Sequence, residues 1–198
     1  MSKVLITGTS QGIGKAVAEC FLACGHQVFG IDRQPSSIEN VAYVHFICDV
    51  RDYENLPDID GVEILINNAG TRNGDDIDVN LKALIHITEK YGVQENIKSI
   101  LNIGSASAHT GSEFPEYCAS KGGVVAYTKN VALRVSSYGA TCNSLDPGWY
   151  ISSLSKTHSA PAKASLWTEA NPSIPISSGR EYVLFPDAVS ACCSRKRL

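Results

Sequence analysis

The chain has 198 residues, 43% apolar and 19% charged, with 17 basic and 20 acidic side chains that leave a formal net charge of −3. That length fits one domain able to bury its own core, and the mild negative balance gives no general attraction to nucleic acid or to a membrane surface. Small molecules and further copies of the chain are the partners left, so no nucleic-acid and no membrane partner is expected.

Seven cysteines, Cys20, Cys24, Cys48, Cys118, Cys142, Cys192 and Cys193, form no CxxC pair and have no histidine at ligand spacing. Such a set reads as reduced thiols in an intracellular chain, and no metal site is expected. Met1-Ser2-Lys3 runs straight into Val4–Ile6 without the layout of an export signal. No uncharged apolar run approaches the roughly 18 residues of a membrane-spanning helix. The expectation is a soluble, cytoplasmic protein.

The first predicted strand covers residues 3–7. Directly after it stands Thr7-Gly8-Thr9-Ser10-Gln11-Gly12-Ile13-Gly14, inside which a helix opens. Glycines let backbone approach a pyrophosphate and turn sharply, and a helix N-terminus offers N–H groups and the positive end of its dipole to an anion. Set between a strand and a helix, the turn points to a dinucleotide, held by Gly8, Ser10, Gln11, Gly12, Ile13 and Gly14. Ile13, Val17, Cys20, Phe21 and Cys24 recur at helical spacing, and Gly25 is placed to end the helix.

A second strand follows at 27–31, and Asp32 closes it. A carboxylate there accepts hydrogen bonds from ribose hydroxyls and repels a 2′-phosphate, which favours NAD over NADP; Arg33 beside it pulls the other way. Further strands are predicted at 41–47 and 62–66, a helix at 77–91 and a strand at 98–103. That strand ends in Asn102-Ile103-Gly104-Ser105, at the carboxyl edge where open α/β sheets bind ligands, so Ser105 is placed to meet a substrate oxygen, with Ser107 its nearest competitor. A helix at 116–138 sets Tyr117 and Lys121 four residues apart on one face. A phenol ordinarily titrates near about 10, so a neighbouring ammonium is what makes it a usable acid or base at neutral pH. A last strand is predicted at 140–145. Strands and helices alternating in this way predict a doubly wound, Rossmann-like α/β fold of about six parallel strands with helices on both faces.

Taken together, Thr7 to Gly14, Asn67-Asn68-Ala69-Gly70, Asn80, Ser105, Tyr117-Cys118-Ala119-Ser120-Lys121 and Asn143 to Gly148 resemble the short-chain dehydrogenase/reductase family, in family order over about the first 148 residues. The resemblance implies an NAD(P)-dependent oxidoreductase moving a hydride between the nicotinamide and a secondary alcohol or ketone. It implies that Tyr117 is the general acid/base, that Lys121 stabilises the phenolate and holds the nicotinamide ribose, that Ser105 positions the substrate oxygen, and that Asn80 holds a water in a relay to Lys121. It also implies cofactor contacts from Asp49 and Val50 at the adenine, from Asn68, Ala69 and Gly70 along the cleft, and from Pro147 and Gly148 near the nicotinamide. A homo-oligomer, dimer or tetramer, goes with the resemblance.

Two departures stand out. Only ten residues lead from Gly70 to Asn80, shorter than is usual in the family, which predicts a trimmed active-site rim. After Gly148 the chain carries both tryptophans, ten serines and four of its eight prolines, and ends Cys192-Cys193-Ser194-Arg195-Lys196-Arg197-Leu198. We therefore divide the domain into 1–148, which binds dinucleotide and carries the chemistry, and 149–198, an atypical segment that reads as truncated or altered, as by a shifted reading frame. If the family's last strand is absent, one sheet edge is left open. The competing function is a dinucleotide-binding protein without useful catalysis. A sugar-nucleotide epimerase or dehydratase needs a larger C-terminal domain than this length allows.

Overall fold

A computed structural model describes residues 1–72 and 74–148, together with the backbone of 164–167 and 181–183. Six strands, β1 (Lys3–Thr7), β2 (Gln27–Asp32), β3 (Tyr43–Ile47), β4 (Ile64–Asn67), β5 (Ser99–Ile103) and β6 (Thr141–Pro147), pair in parallel in the order β3-β2-β1-β4-β5-β6. The chain builds outward from β1 to β3 and then returns to lay β4 on the other side of β1, so the crevice at the carboxyl ends of β1 and β4 is the topological switch point. These strands fall within a residue or two of the predicted ones.

Two further strands, β7 (Ala164–Trp167) and β8 (Glu181–Val183), extend the sheet antiparallel from β6. β6 is therefore not an edge strand: Ser144 to Pro147 pair with Trp167 to Ala164. No period-2 signal singled these segments out of the serine- and proline-rich stretch, since their pairing is set by the edge of β6 rather than by their own pattern. Apart from these two strands, the reading of 149–198 as altered lies outside the described residues.

Alternation along each strand sends side chains to opposite faces. On one face Val4 and Ile6 join Val28, Ile64, Ile66 and Leu101 against Val17, Ala18 and Phe21 of helix α1 (Gly12–Ala23). On the other, Leu5, Ile31, Leu65 and Ile100 pack with Ile87 and Tyr91 of α2 (Leu84–Tyr91), and with Val131 and Val135 of the long helix α4 (Pro115–Val135). The short α3 (Ser107–Thr110) lies between β5 and α4.

The predicted helix at 77–91 is divided: Asp78–Ala83 is π-helical and continues as α2. The end of the predicted helix at 116–138 is a 3₁₀ turn, Ser136–Tyr138, closed by Gly139 in the left-handed conformation with φ 71°. Inside the core, Asn67 Nδ2 donates to Asn102 Oδ1 and to Thr88 Oγ1, both at 2.8 Å, and Asn102 Nδ2 donates to Thr128 Oγ1 at 2.9 Å. This chain of amides and hydroxyls ties β4 and β5 to α2 and α4. Under the glycine turn, the Tyr43 hydroxyl donates to Thr9 Oγ1 at 2.8 Å and lies 2.9 Å from His45 Nδ1; a Cβ on Gly30 would fall 2.1 Å from that hydroxyl.

Candidate active site

The glycine turn is held from two sides. Thr7 Oγ1 accepts the backbone N–H groups of Asn68 and Ala69, each at 3.0 Å, while Asn68 Nδ2 donates to the carbonyls of Thr7 and Gly8 at 3.0 Å. The ends of β1 and β4 are thus joined where the crevice opens. Gly8 (φ 76°) and Gly12 (φ 59°) take the left-handed conformation, which L side chains resist. A Cβ on Gly14 would lie 2.0 Å from the Gly8 carbonyl oxygen, whereas a Cβ on Gly12 would meet nothing beyond its own turn within 4 Å. Close backbone contact on one side and open space on the other is the shape of a cradle. No side chain caps the N-terminus of α1, with Gln11 extended before it, and its first turn carries no acidic residue. Its N–H groups and dipole therefore face that space.

Asp32 closes the cradle. Its two carboxylate oxygens accept the backbone N–H groups of Ser10 and Gln34, both at 2.9 Å, and Ser10 Oγ donates to the Gln34 carbonyl at 2.9 Å. Arg33, beside it, is exposed. Asp49, on the loop after β3, is paired with a guanidinium. Its carboxylate accepts Arg51 Nη2 at 2.8 Å and Nε at 3.0 Å, and the guanidinium holds it below the usual carboxylate range. Arg51 reaches on to Asp75 at 2.9 Å, fastening the short rim between Gly70 and Asn80 to the loop after β3. The Val50 side chain is buried in the core.

Across the crevice Lys121 is almost wholly buried, at 5% exposure, and its Nζ donates to the Ile103 carbonyl at 2.7 Å and stands 5.8 Å from the centre of the Tyr117 ring. Burial pulls its ammonium down to about 8, against the opposing pull of the Asp146 and Asp76 carboxylates. Gly70 borders the same space: a Cβ there would lie 3.1 Å from Asn80 Oδ1 and 3.7 Å from Lys121 Nζ. The structure thus gathers Gly70, Asn80, Tyr117 and Lys121 in one place.

Asn80, in the π-helical segment, spends its side chain on the protein. Oδ1 accepts the Thr71 N–H at 2.8 Å, and Nδ2 donates to the Thr71 carbonyl at 2.9 Å and to Ser120 Oγ at 3.1 Å. Ser120 Oγ in turn donates to the Tyr117 carbonyl at 2.8 Å, so Asn80 braces the turn of α4 that carries the tyrosine. Ser105 is buried, and its Oγ accepts the backbone N–H of Ser107, the first residue of α3, at 3.2 Å. Gly104 N–H donates to the Leu145 carbonyl at 2.8 Å and Ala106 N–H to the Pro147 carbonyl at 3.0 Å, so the segment around Ser105 is stitched to the end of β6, where Pro147 and Gly148 stand.

Sequence reasoning missed Ser120, Asp76 and the pair His109 and Asp146. Asp146 is 0% exposed, and burial raises its carboxyl above the usual range. A charged residue in the apolar run of β6 was the signal available for it. Nothing in the sequence marked the others: Ser120 and His109 meet Asn80 and Asp146 only through the fold, and Asp76 is one acidic residue among several in its segment.

Comparison with known proteins agrees with this fold. The family model for short chain dehydrogenases matches residues 2–162. The 3-oxoacyl-[acyl-carrier-protein] reductase of Haemophilus influenzae is 29% identical over 192 residues, covering 82% of this chain and 79% of that protein. A short chain dehydrogenase of Penicillium brasilianum is 34% identical over 174 residues, covering 73% and 68%. Among solved structures, the 3-oxoacyl-[acyl-carrier protein] reductase of Brucella melitensis, in complex with NAD, superposes with a TM-score of 0.68 at 23% identity over 77% of this chain and 75% of that one. With a family model spanning most of its length and this arrangement of strands, cradle and buried lysine, the chain belongs to the short-chain dehydrogenase family of oxidoreductases.

Proposed function

We propose that the protein is a nicotinamide-dependent dehydrogenase or carbonyl reductase acting on a secondary alcohol or ketone, with Ser105, Tyr117, Lys121 and Asn80 as its working residues. The observation that carries this reading is the buried Lys121 ammonium facing the Tyr117 ring. Burying a lysine is costly, and such groups concentrate where chemistry needs them. The cradle fits the cofactor, since the gap over Gly12 and the uncapped N-terminus of α1 suit a pyrophosphate flanked by Gly8, Ser10, Gln11, Ile13 and Gly14. Asn68, Ala69, Gly70, Pro147 and Gly148 line the remainder, and the loop of Asp49 and Val50 borders the adenine end.

The cofactor supplies or takes up the hydride. Tyr117 gives its phenolic proton to the carbonyl oxygen in reduction and takes it back in oxidation, Ser105 holds that oxygen by a hydrogen bond, and the Lys121 ammonium stabilises the phenolate. Asn80 holds the backbone of the Tyr117 turn through Ser120 and sits beside the path by which Lys121 exchanges protons with water. Asp32 favours NAD over NADP, because a 2′-phosphate would meet a carboxylate already fixed by two backbone N–H groups. The 3-oxoacyl reductase among the similar proteins makes a ketone on an acyl chain the first substrate class to try.

The experiment is titration of the protein with NADH and NADPH, followed by a ketone panel read at the nicotinamide absorbance. We expect NADH to bind more tightly, and Tyr117→Phe to lose at least about 100-fold in kcat while keeping its cofactor affinity. Cofactor binding with no turnover of any ketone or alcohol would favour a binding protein instead. Unchanged turnover in Tyr117→Phe would remove the mechanism.

A further inference from the structure

Beside the reacting groups stands a pair that the mechanism above does not use. His109 Nε2 on α3 lies 2.9 Å from Asp146 Oδ2 on β6, where the imidazole N–H donates to the carboxylate. Ser144 Oγ reaches the two oxygens of the same carboxylate at 3.4 and 3.3 Å. The packing is built around Asp146: a Cβ on Gly104 would fall 1.8 Å from its Oδ1, so only glycine admits the carboxylate beneath the backbone that leads into Ser105. A carboxylate removed from water is costly unless hydrogen-bonded, and a charge-assisted bond is the strong kind. The imidazole, with 27% of its side chain exposed, links this buried group to the outer face of α3.

We propose that His109 and Asp146 are a positioning pair for the reaction, fastening α3 to the end of β6 and so setting where the Ser105 hydroxyl stands. The inference rests on the proposed function for its catalytic part and on geometry alone for the fastening. Among the described residues, three links hold the segment to β6: the Gly104 and Ala106 backbone bonds on either side of Ser105, and the His109 side chain four residues beyond it. The backbone bonds fix where the chain crosses, and the third fixes how α3 is turned about that crossing. Ser105 Oγ follows that turn, because it accepts the first N–H of α3, that of Ser107. Among the described residues the charged group on α4 that acts on the pair is Lys121, and Asp146 and Asp76 both act on Lys121. Removing the imidazole therefore disturbs both the serine and the field at the lysine.

The test uses the full chain unaltered and as His109→Ala and His109→Gln, the latter keeping an N–H donor of similar reach. Backbone amide exchange at residues 104–111 is read in all three, with cofactor affinity and, on any ketone the unaltered protein reduces, kcat and KM. His109→Ala is expected to speed exchange in this segment about tenfold or more, the worth of one hydrogen bond to a charged group. Its kcat should fall about 10- to 100-fold, as misplaced reacting groups do, with cofactor affinity kept within about twofold. His109→Gln should restore both to within about threefold, which a bulk packing role would not predict. Unchanged exchange in His109→Ala overturns the fastening, and faster exchange with unchanged kcat overturns the positioning role. If the unaltered protein reduces nothing, the proposed function fails on its own, and the exchange data still decide whether the pair holds α3.

Discussion

Lys121 concentrates the energetic cost of the site in one side chain. Its ammonium is brought to about 8 from an ordinary 10.5 because burial disfavours the charge. Between those two values the unfolded chain binds more protons than the folded one, so stability rises with pH across that window, and the deficit is fully present below about pH 8. Thermal unfolding of the cofactor-free protein at pH 7, 8 and 9.5 should show this gain against Lys121→Met, in which it is absent. The catalytic consequence has the opposite sign: kcat/KM, which reports the free enzyme, should fall as pH rises through about 8, because a neutral lysine no longer stabilises a phenolate. A flat profile from pH 7 to 9.5 would show that the lysine charge is not used. Tyr117, Lys121 and Ser105 were legible in the sequence, as each is a chemical group at a recognisable spacing. His109 and Asp146 were not, since only the pairing of β5 with β6 brings two residues 37 apart in sequence into contact.

The elements that carry these residues differ in how much change they tolerate, and the glycine turn makes the contrast measurable. At Gly14 an added methyl meets the Gly8 carbonyl oxygen at 2.0 Å, an atom that cannot give way, so Gly14→Ala should move α1 away from β1 and cost both stability and cofactor binding. At Gly12 the space is open and the penalty is the left-handed φ alone, about 1–2 kcal/mol. Calorimetric melting together with NADH titration separates the two, with the larger loss expected at Gly14 in both measurements. Strands and helices were legible because their apolar periods are local. The π-helical turn at Asp78–Ala83 was not, because its register answers to Asn80 bonding Thr71 and Ser120, and both partners lie outside that turn.

At the level of the whole molecule the two sheet edges are managed differently. Past β6 the sheet continues into β7 and β8, while β3 ends it on the other side with Ile47 at 67% and Val44 at 36% exposure. An apolar edge invites pairing between molecules, and charge on such an edge opposes it. Ile47→Lys should leave the melting transition within about 0.5 kcal/mol of the original, since little packing is lost. It should also reduce concentration-dependent light scattering; unchanged scattering would mean that this edge is not where molecules meet. The parallel order of the six strands follows from alternating elements joined by right-handed crossovers, which is why it could be read in advance. The antiparallel extension could not, because it depends on which segment returns to an edge.

The Tyr43 hydroxyl beneath Gly30 bears on how this sequence can drift. It occupies the volume a side chain at position 30 would need, and it also anchors Thr9 in the glycine turn. Position 30 can accept a methyl only after position 43 has given up its ring and the Thr9 hydroxyl, 2.5 Å from the same point, has moved, and giving up the ring releases the turn. The two sites are therefore bound to change together or not at all, and a relative with alanine at the first should carry a small residue at the second and some other anchor for its threonine.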